Sequence, residues 1–314
     1  MSKKNILITG GKGFIGSYIV NLLKEKHNIT ILDGWTFEYP GYKYIHRGKN
    51  GLELINGIET AHRLAAKKYR DSLTKDIKVI KNWTFEDIET ENYDLIINCG
   101  SLSEAILSQY FEEFTEKSIL DGLAKLKNNY SCPILHFSSS MSYGSWSGSI
   151  KEDGPMEPVD LYGACKKASE SLLNLNKDII LRPMHVYGYG DGKFPMPMNI
   201  ERQASKNQPV NIEEADCIYI KDLISIIDKI INNWIPGVYN LSSGYQRDKG
   251  VIEKYAKDIL NFNIETSAKS GPTGKDRGTL NTSKIKTTYN WESNFKNYEE
   301  TIIDYFNTYM KEQA

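Results

Sequence analysis

Residues 5–16 read NILITGGKGFIG, and the fold follows from how this stretch is understood. Ile6, Leu7 and Ile8 make a short apolar, β-favouring run, and SYIVNLLKEKH at 17–27 then repeats its apolar residues at helical spacing. The order is strand, tight turn, helix. Gly10, Gly13 and Gly16 suit a turn where backbone approaches a ligand closely, and the helix entered at Phe14 and Ile15 directs free N–H groups at a phosphate. Glycines also punctuate ordinary βα turns, so a second element is needed. NITILD at 28–33 supplies one: a second strand closes on Asp33, about twenty residues past the glycines, where a carboxylate meets the adenosine ribose hydroxyls and repels the 2′-phosphate of NADP. This favours NAD, with a merely solvated turn acid as the alternative.

Further along, IKVIK (77–81), DLIINC (94–99) and CPILHFSS (132–139) read as buried strands, with a helical stretch at about 103–127 between the last two. Strands alternating with helices predict an α/β fold, a doubly wound parallel sheet covered on both faces, with ligands at the carboxyl ends of the strands. HFSSSMSYG at 136–144 puts three serines on that edge. Serines there can also be simple turn formers. In LYGACKKASESLLNL (161–175), Tyr162 and Lys166 stand four apart on a predicted helix and project from one face. A free phenol, with a pKa of about 10, is a poor base at neutral pH. An adjacent ammonium and an oxidised nicotinamide would both stabilise its phenolate. Surface decoration is the plainer reading of that pair alone. Residues 34–78 are less legible; LELINGIETAHRLAAKKYRDSL (52–73) has a helical pattern, with Lys67, Lys68 and Arg70 read as a solvated face.

Composition narrows the function classes. The chain of 314 residues carries 39 basic and 40 acidic side chains, a formal net charge of −1, so no global field draws it to nucleic acid or to an acidic membrane. Cys99, Cys132, Cys165 and Cys217 are widely spaced, without a CxxC pair, which argues against a metal site or a disulfide framework. The only apolar run near the N-terminus is three residues, too short for a membrane span or signal core. The expectation is a cytoplasmic enzyme with no nucleic-acid, membrane or metal partner.

TGGKGFIG, Asp33, SSSMSYG, YGACK and LRPMHVYGYGDG (181–192) occur in the order and spacing of the extended short-chain dehydrogenases/reductases, the NAD-dependent epimerase/dehydratase family, which this chain resembles over most of its length. CIYIKDLISII (217–227) and GVYNLSSG (237–244) extend the resemblance. It implies a Rossmann domain of residues 1–182 with a returning segment near 212–242, and a mainly substrate-binding lobe from 183–314. Tyr162 is then the catalytic acid/base, Lys166 the residue on the nicotinamide ribose, and Ser139 the catalytic hydroxyl, counted four residues before Tyr143; a one-residue slip would promote Ser140. Gly10, Gly13, Phe14, Ile15, Gly16 and Asp33 would hold NAD. The implied substrate is a nucleotide-diphosphate sugar, contacted by Ser139, Ser140, His185, Lys193 and Arg277. The implied assembly is a homodimer built on the helices near 103–127 and 161–175.

The departures also inform. Relatives that eliminate water across C5 and C6 carry Thr-Asp-Glu where this chain has Ser139-Ser140-Met141, and Met141 can neither protonate a leaving hydroxyl nor take a proton. A 4,6-dehydratase is therefore disfavoured. Asn82-Trp83 stand where the family has Gly-Asp, and NIEEAD (211–216) replaces a family arginine that binds diphosphate, leaving Arg277 and Lys193 as the candidates for that task. His185 is read as a packed or hydrogen-bonded strand histidine, or as a substrate contact. The function expected is epimerisation, at C4 through a transient 4-keto sugar. A 4-dehydrogenase or 4-ketosugar reductase is the runner-up, and a non-catalytic dinucleotide-binding regulator is a third reading.

Overall fold

The apolar run that opens the chain becomes β1 (Asn5–Thr9), buried at four of its five positions. In this computed structural model the described residues are 2–33, 45–48, 51–54, 57–80, 92–103, 108–109, 111–191, 210–212, 215–261, 266–268 and 278–313, with backbone alone described at 45–48, 51–54, 57–64, 210–212, 259–260, 266–268 and 313. Six more strands join β1: β2 (Asn28–Leu32), β3 (Lys78–Ile80), β4 (Leu95–Asn98), β5 (Ile134–Phe137), β6 (Ile179–Pro183) and β7 (Gly237–Leu241). They form a seven-stranded sheet in the order β7-β6-β5-β4-β1-β2-β3, and every pairing is parallel. The order reverses beside β1, which makes the carboxyl ends of β1 and β4 the switch point where ligands bind in such sheets.

Because successive side chains of a strand point to opposite faces, each strand feeds two cores. Ile6, Ile8, Ile97, Leu135 and Leu181 pack with Ile19, Val20 and Leu23 of α1 (Phe14–Leu23) and with Leu223, Ile226, Ile227 and Ile230 of a helix at Ile220–Asn232. On the opposite face Leu7, Ile96, Ile134 and Ile180 meet Leu123, Leu126 and Tyr130. Both faces are thus covered, which accounts for strands that are apolar throughout rather than alternating.

Three elements differ from the sequence reading. The helix expected at 103–127 is described as Glu112–Glu116, a π-helical turn at Lys117–Asp121, and Gly122–Asn129, in one continuous run. The helix expected at 161–175 is α4 here, counting α2 as Gly57–Leu73 and α3 as the run just given; it spans Leu161–Glu170 and stops early. Its end tightens as Leu172 and Leu173 bond back three residues, and the buried Asp178 carboxylate takes the Asn174 N–H at 2.8 Å, drawing the chain out of the helix. Finally, Arg70 is not on a solvated face. It is buried near the end of α2 and donates to Lys12 O at 3.1 Å and Gly190 O at 2.6 Å, while its neighbour Tyr69 meets Tyr189 edge-on with ring centroids 4.8 Å apart. The segment that was hard to read therefore clamps the glycine turn.

Candidate active site

The glycine turn has the geometry a dinucleotide needs. Gly10 has φ +66°, and a Cβ on it would lie 2.7 Å from Gly100 Cα, so the turn after β1 and the turn after β4 touch through bare backbone. At Gly16 a Cβ would fall 2.2 Å from Gly10 O, which is what lets α1 approach the turn so closely. Gly13 precedes the first residue of α1, and the N–H groups of the first turn, at Phe14 and Ile15, have no acceptor within the helix. Asp33 follows β2 and accepts a hydrogen bond from Lys12 N at 2.8 Å, which holds the carboxylate beside the turn. These residues fit the pyrophosphate and adenosine ribose of NAD. Gly16→Ala is expected to cost at least roughly 10-fold in dinucleotide affinity and to lower the thermal midpoint, since backbone rather than a side chain has to move; fluorescence titration and a melting curve read both effects. Asp33→Ser is expected to weaken NAD by roughly 10- to 100-fold, the loss of a charged acceptor, and to narrow the gap to NADP.

Beyond β5 the three serines separate into three roles. Ser138 donates to the Glu170 carboxylate of α4. Ser139, extended at φ −160°, caps the 3₁₀ turn Ser140–Tyr143; its Oγ accepts from Met141 N at 3.1 Å, and its hydroxyl is near enough to the Tyr162 phenol to favour the phenolate. Ser140 is buried as the first residue of that turn. Tyr162 and Lys166 do share a face of α4, with Lys166 Nζ 5.7 Å from the centroid of the Tyr162 ring. Asp160 caps α4 by accepting from Gly163 N at 2.7 Å. A Cβ on Gly163 would sit 2.5 Å from Met141 O, so a glycine at this position is what brings Tyr162 up to Ser139.

Lys166 is buried. Its Nζ donates to Phe137 O at 2.8 Å and to Ser101 Oγ at 3.0 Å. Burial dominates both ionisable groups: it pushes the Tyr162 phenol up to about 12 against the pull of the Ser139 hydroxyl, and it brings the Lys166 ammonium down to about 8. A polar chain also crosses under the site. Thr9 Oγ1 donates to Asn98 Oδ1 at 2.6 Å, Asn98 Nδ2 to His136 Nδ1 at 3.0 Å, His136 Nε2 to Ser169 Oγ at 3.0 Å, and Ser169 Oγ to Lys166 O at 2.7 Å. That direction fixes the neutral Nε2–H tautomer, and burial, with Lys166 adding to it, holds His136 well below its ordinary pKa.

The structure thus brings Ser139, Tyr162 and Lys166 together at the carboxyl edge. His185 is apart from any packed core: it opens the strand His185–Tyr187, in register with Cys217, and is exposed, which removes the packed reading. Lys193 and Arg277 lie outside the described residues, as do Asn82 and Trp83. Ala215, buried, stands directly before the aspartate of the returning strand segment. Sequence reasoning did not find the contact of Ser101 with Lys166, nor Glu170 or Arg182. Arg182 had a usable signal, because a cation inside the apolar run IILRP has to find a buried acid.

Residues 6–242 match the NAD dependent epimerase/dehydratase family. The chain belongs to that family. A UDP-glucuronic acid 4-epimerase from Bacillus cereus, solved with UDP-glucuronic acid and NAD, is 19 % identical with TM-score 0.77 and covers 99 % of this chain and 100 % of its own. A UDP-N-acetylglucosamine 4-epimerase from Methanobrevibacter ruminantium M1, solved with UDP-N-acetylmuramic acid, is 19 % identical with TM-score 0.73, covering 99 % of each chain. WbmG from Bordetella bronchiseptica, solved with NAD and UDP, is 21 % identical with TM-score 0.69, covering 99 % of this chain and 95 % of its own. At these identities the likeness is one of fold, and the family is one of NAD-dependent enzymes, in keeping with Asp33 and the glycine turn.

Proposed function

We infer that this family member is an NAD-dependent nucleotide-sugar epimerase working at C4 through a transient 4-keto sugar, with Tyr162, Lys166 and Ser139 as its catalytic residues. The observation that carries this reading is the buried Lys166 ammonium, bonded to Phe137 O and 5.7 Å from the centroid of the Tyr162 ring, at the strand ends where the glycine turn would hold NAD. UDP-sugar 4-epimerases among the structures of the same fold support it.

When bound, NAD⁺ would supply a hydride acceptor and a positive charge. Tyr162 would remove the proton from the sugar hydroxyl at C4 and give it back to the same oxygen once the ketone has turned its other face to the cofactor. Ser139 holds the same oxygen through both steps, because its Oγ is already fixed by Met141 N. Lys166 contributes charge next to the phenol and its remaining N–H donor for the nicotinamide ribose. Met141 sits where a dehydratase needs a carboxyl group, so nothing at that position drives elimination. His185, Lys193 and Arg277 belong to the substrate side of this reading, and the division at about residue 182, the homodimer and a cytoplasmic setting go with it.

Two measurements test it. Denaturing the purified protein and identifying the released dinucleotide is expected to give NAD⁺ with some NADH; NADP would overturn the role of Asp33. Incubation with a panel of UDP-sugars, followed by proton NMR of the anomeric region, is expected to show a C4 epimer appearing without added cofactor. Accumulation of NADH in step with an oxidised sugar would favour the 4-dehydrogenase instead.

A further inference from the structure

Lys166 spends two of its three N–H donors on fixed acceptors, and one of them belongs to a loop rather than to the strand below it. Phe137 O is the main-chain acceptor at the end of β5. Ser101 Oγ, three residues past β4, is the other at 3.0 Å. Ser101 is pinned from both sides. On one side Gly100 N donates to Thr9 Oγ1 at 3.0 Å, and on the other Leu102 N donates to Ser118 Oγ at 3.2 Å. Ser118 is in turn fixed by donating to Thr115 O at 3.2 Å, and it lies in the π-helical turn Lys117–Asp121, whose Ile119 packs against Tyr162 and Cys165. π-turns inside α-helices recur at functional sites, and this one places Ser118 under the loop and Ile119 on the phenol.

We propose that Ser101 is a positioning residue for the reaction: held by Thr9 and by the Ser118 of the π-turn, it keeps Lys166 in its charged form and aims the remaining N–H at the cofactor ribose. The physical reason is that a buried ammonium is stable only as far as its donors are satisfied, and a fixed hydroxyl oxygen favours the charged form over the amine. The charged and titratable groups facing Lys166 are Cys99 from the loop after β4, Glu170, Cys165 and Tyr162 from α4, and His136 from β5. None of the first three replaces Ser101, because neither thiol is a strong acceptor and the Glu170 carboxylate is taken up by Arg182 and Ser138. Burial already brings the ammonium to about 8, so the loss of a fixed acceptor lowers it further towards neutrality.

This inference rests on the Tyr162–Lys166 reading, and the test separates the two. Lysine ¹³Cε or ¹⁵Nζ NMR of the full chain, with the Lys166 resonance assigned by its loss in Lys166→Arg, follows the ammonium directly and needs no substrate. Ser101→Ala is expected to lower the Lys166 titration midpoint by about one unit. In turnover it then drops the alkaline limb of the pH–rate profile by the same amount, with activity near pH 6.5 retained. Ser101→Thr restores both, and Ser118→Ala reproduces the shift in weaker form without touching Lys166. An unchanged Lys166 midpoint in a folded Ser101→Ala protein overturns the proposal, as does a loss of activity that is uniform with pH and not recovered by threonine. A shifted midpoint in a protein that turns over no sugar upholds the role of Ser101 and overturns the epimerase assignment.

Discussion

Tyr162→Phe is expected to lower turnover of the sugar substrate by about 10²–10⁴-fold while leaving NAD affinity within roughly twofold of wild type. The substitution removes one oxygen. That oxygen is the acid/base in this account, whereas the glycine turn and Asp33 follow β1 and β2. The fold is not expected to suffer. The phenol is buried and its ionised form disfavoured, so phenylalanine fills nearly the same volume and gives up a neutral hydrogen bond, about 1 kcal/mol. A loss in kcat with an unmoved KM and an unmoved NAD titration is the pattern to look for. Parallel losses in melting temperature and cofactor binding would point to structural damage instead. Unchanged turnover would remove Tyr162 from the chemistry.

The largest stability effect is expected at Glu170→Ala, about 3–5 kcal/mol, because it strands the buried Arg182 guanidinium. Arg182 Nε and Nη2 reach the two carboxylate oxygens at 2.9 and 2.6 Å, and Ser138 donates to the same group. From its other nitrogen Arg182 bonds Tyr143 Oη at 2.6 Å, and Tyr143 passes the chain on to Asn240 Oδ1 at 2.7 Å. One acid therefore ties α4, β6, the serine turn and β7 together directly beneath Ser139. Urea denaturation should show the loss, and the melting temperature should fall by roughly 5–15 °C. Replacing both partners, Glu170→Met with Arg182→Met, should recover most of that loss, because apolar groups of similar size need no partner. If the double variant is as unstable as the single one, the pair itself is not what Glu170 contributes.

The sheet and the Tyr162–Lys166 helix were legible because their signals are local. A glycine turn needs its residues within seven positions, and an i,i+4 pair defines a face on any helix. The sequence left the choice between Ser139 and Ser140 open. What brings Tyr162 up to Ser139 is the close approach of Gly163 to Met141 O, a meeting of two segments more than twenty residues apart that no local pattern reports. Arg70 was misread for a related reason. Beside Lys67 and Lys68 it looks like one more solvated cation, yet it points at carbonyls of Lys12 and Gly190, which come near only once α2 is docked on α1. The early end of α4 depends on Asp178, which also accepts from Ile134 N at 3.0 Å, so that helix boundary is decided by a strand. Neither the contact of Ser101 with Lys166 nor the π-turn was legible, on the same grounds. A single serine after a strand carries no periodicity, and a π-turn is an insertion of register rather than of residue type.

The most direct test of the account is to give the enzyme a UDP-sugar carrying deuterium at C4 and follow the label by NMR and mass spectrometry. Epimerisation through a 4-keto sugar, with hydride leaving and returning at the same carbon, predicts the C4 epimer with deuterium retained at C4 and no net change in NADH. Loss of the deuterium to solvent, or its accumulation in reduced cofactor alongside an oxidised sugar, would contradict it.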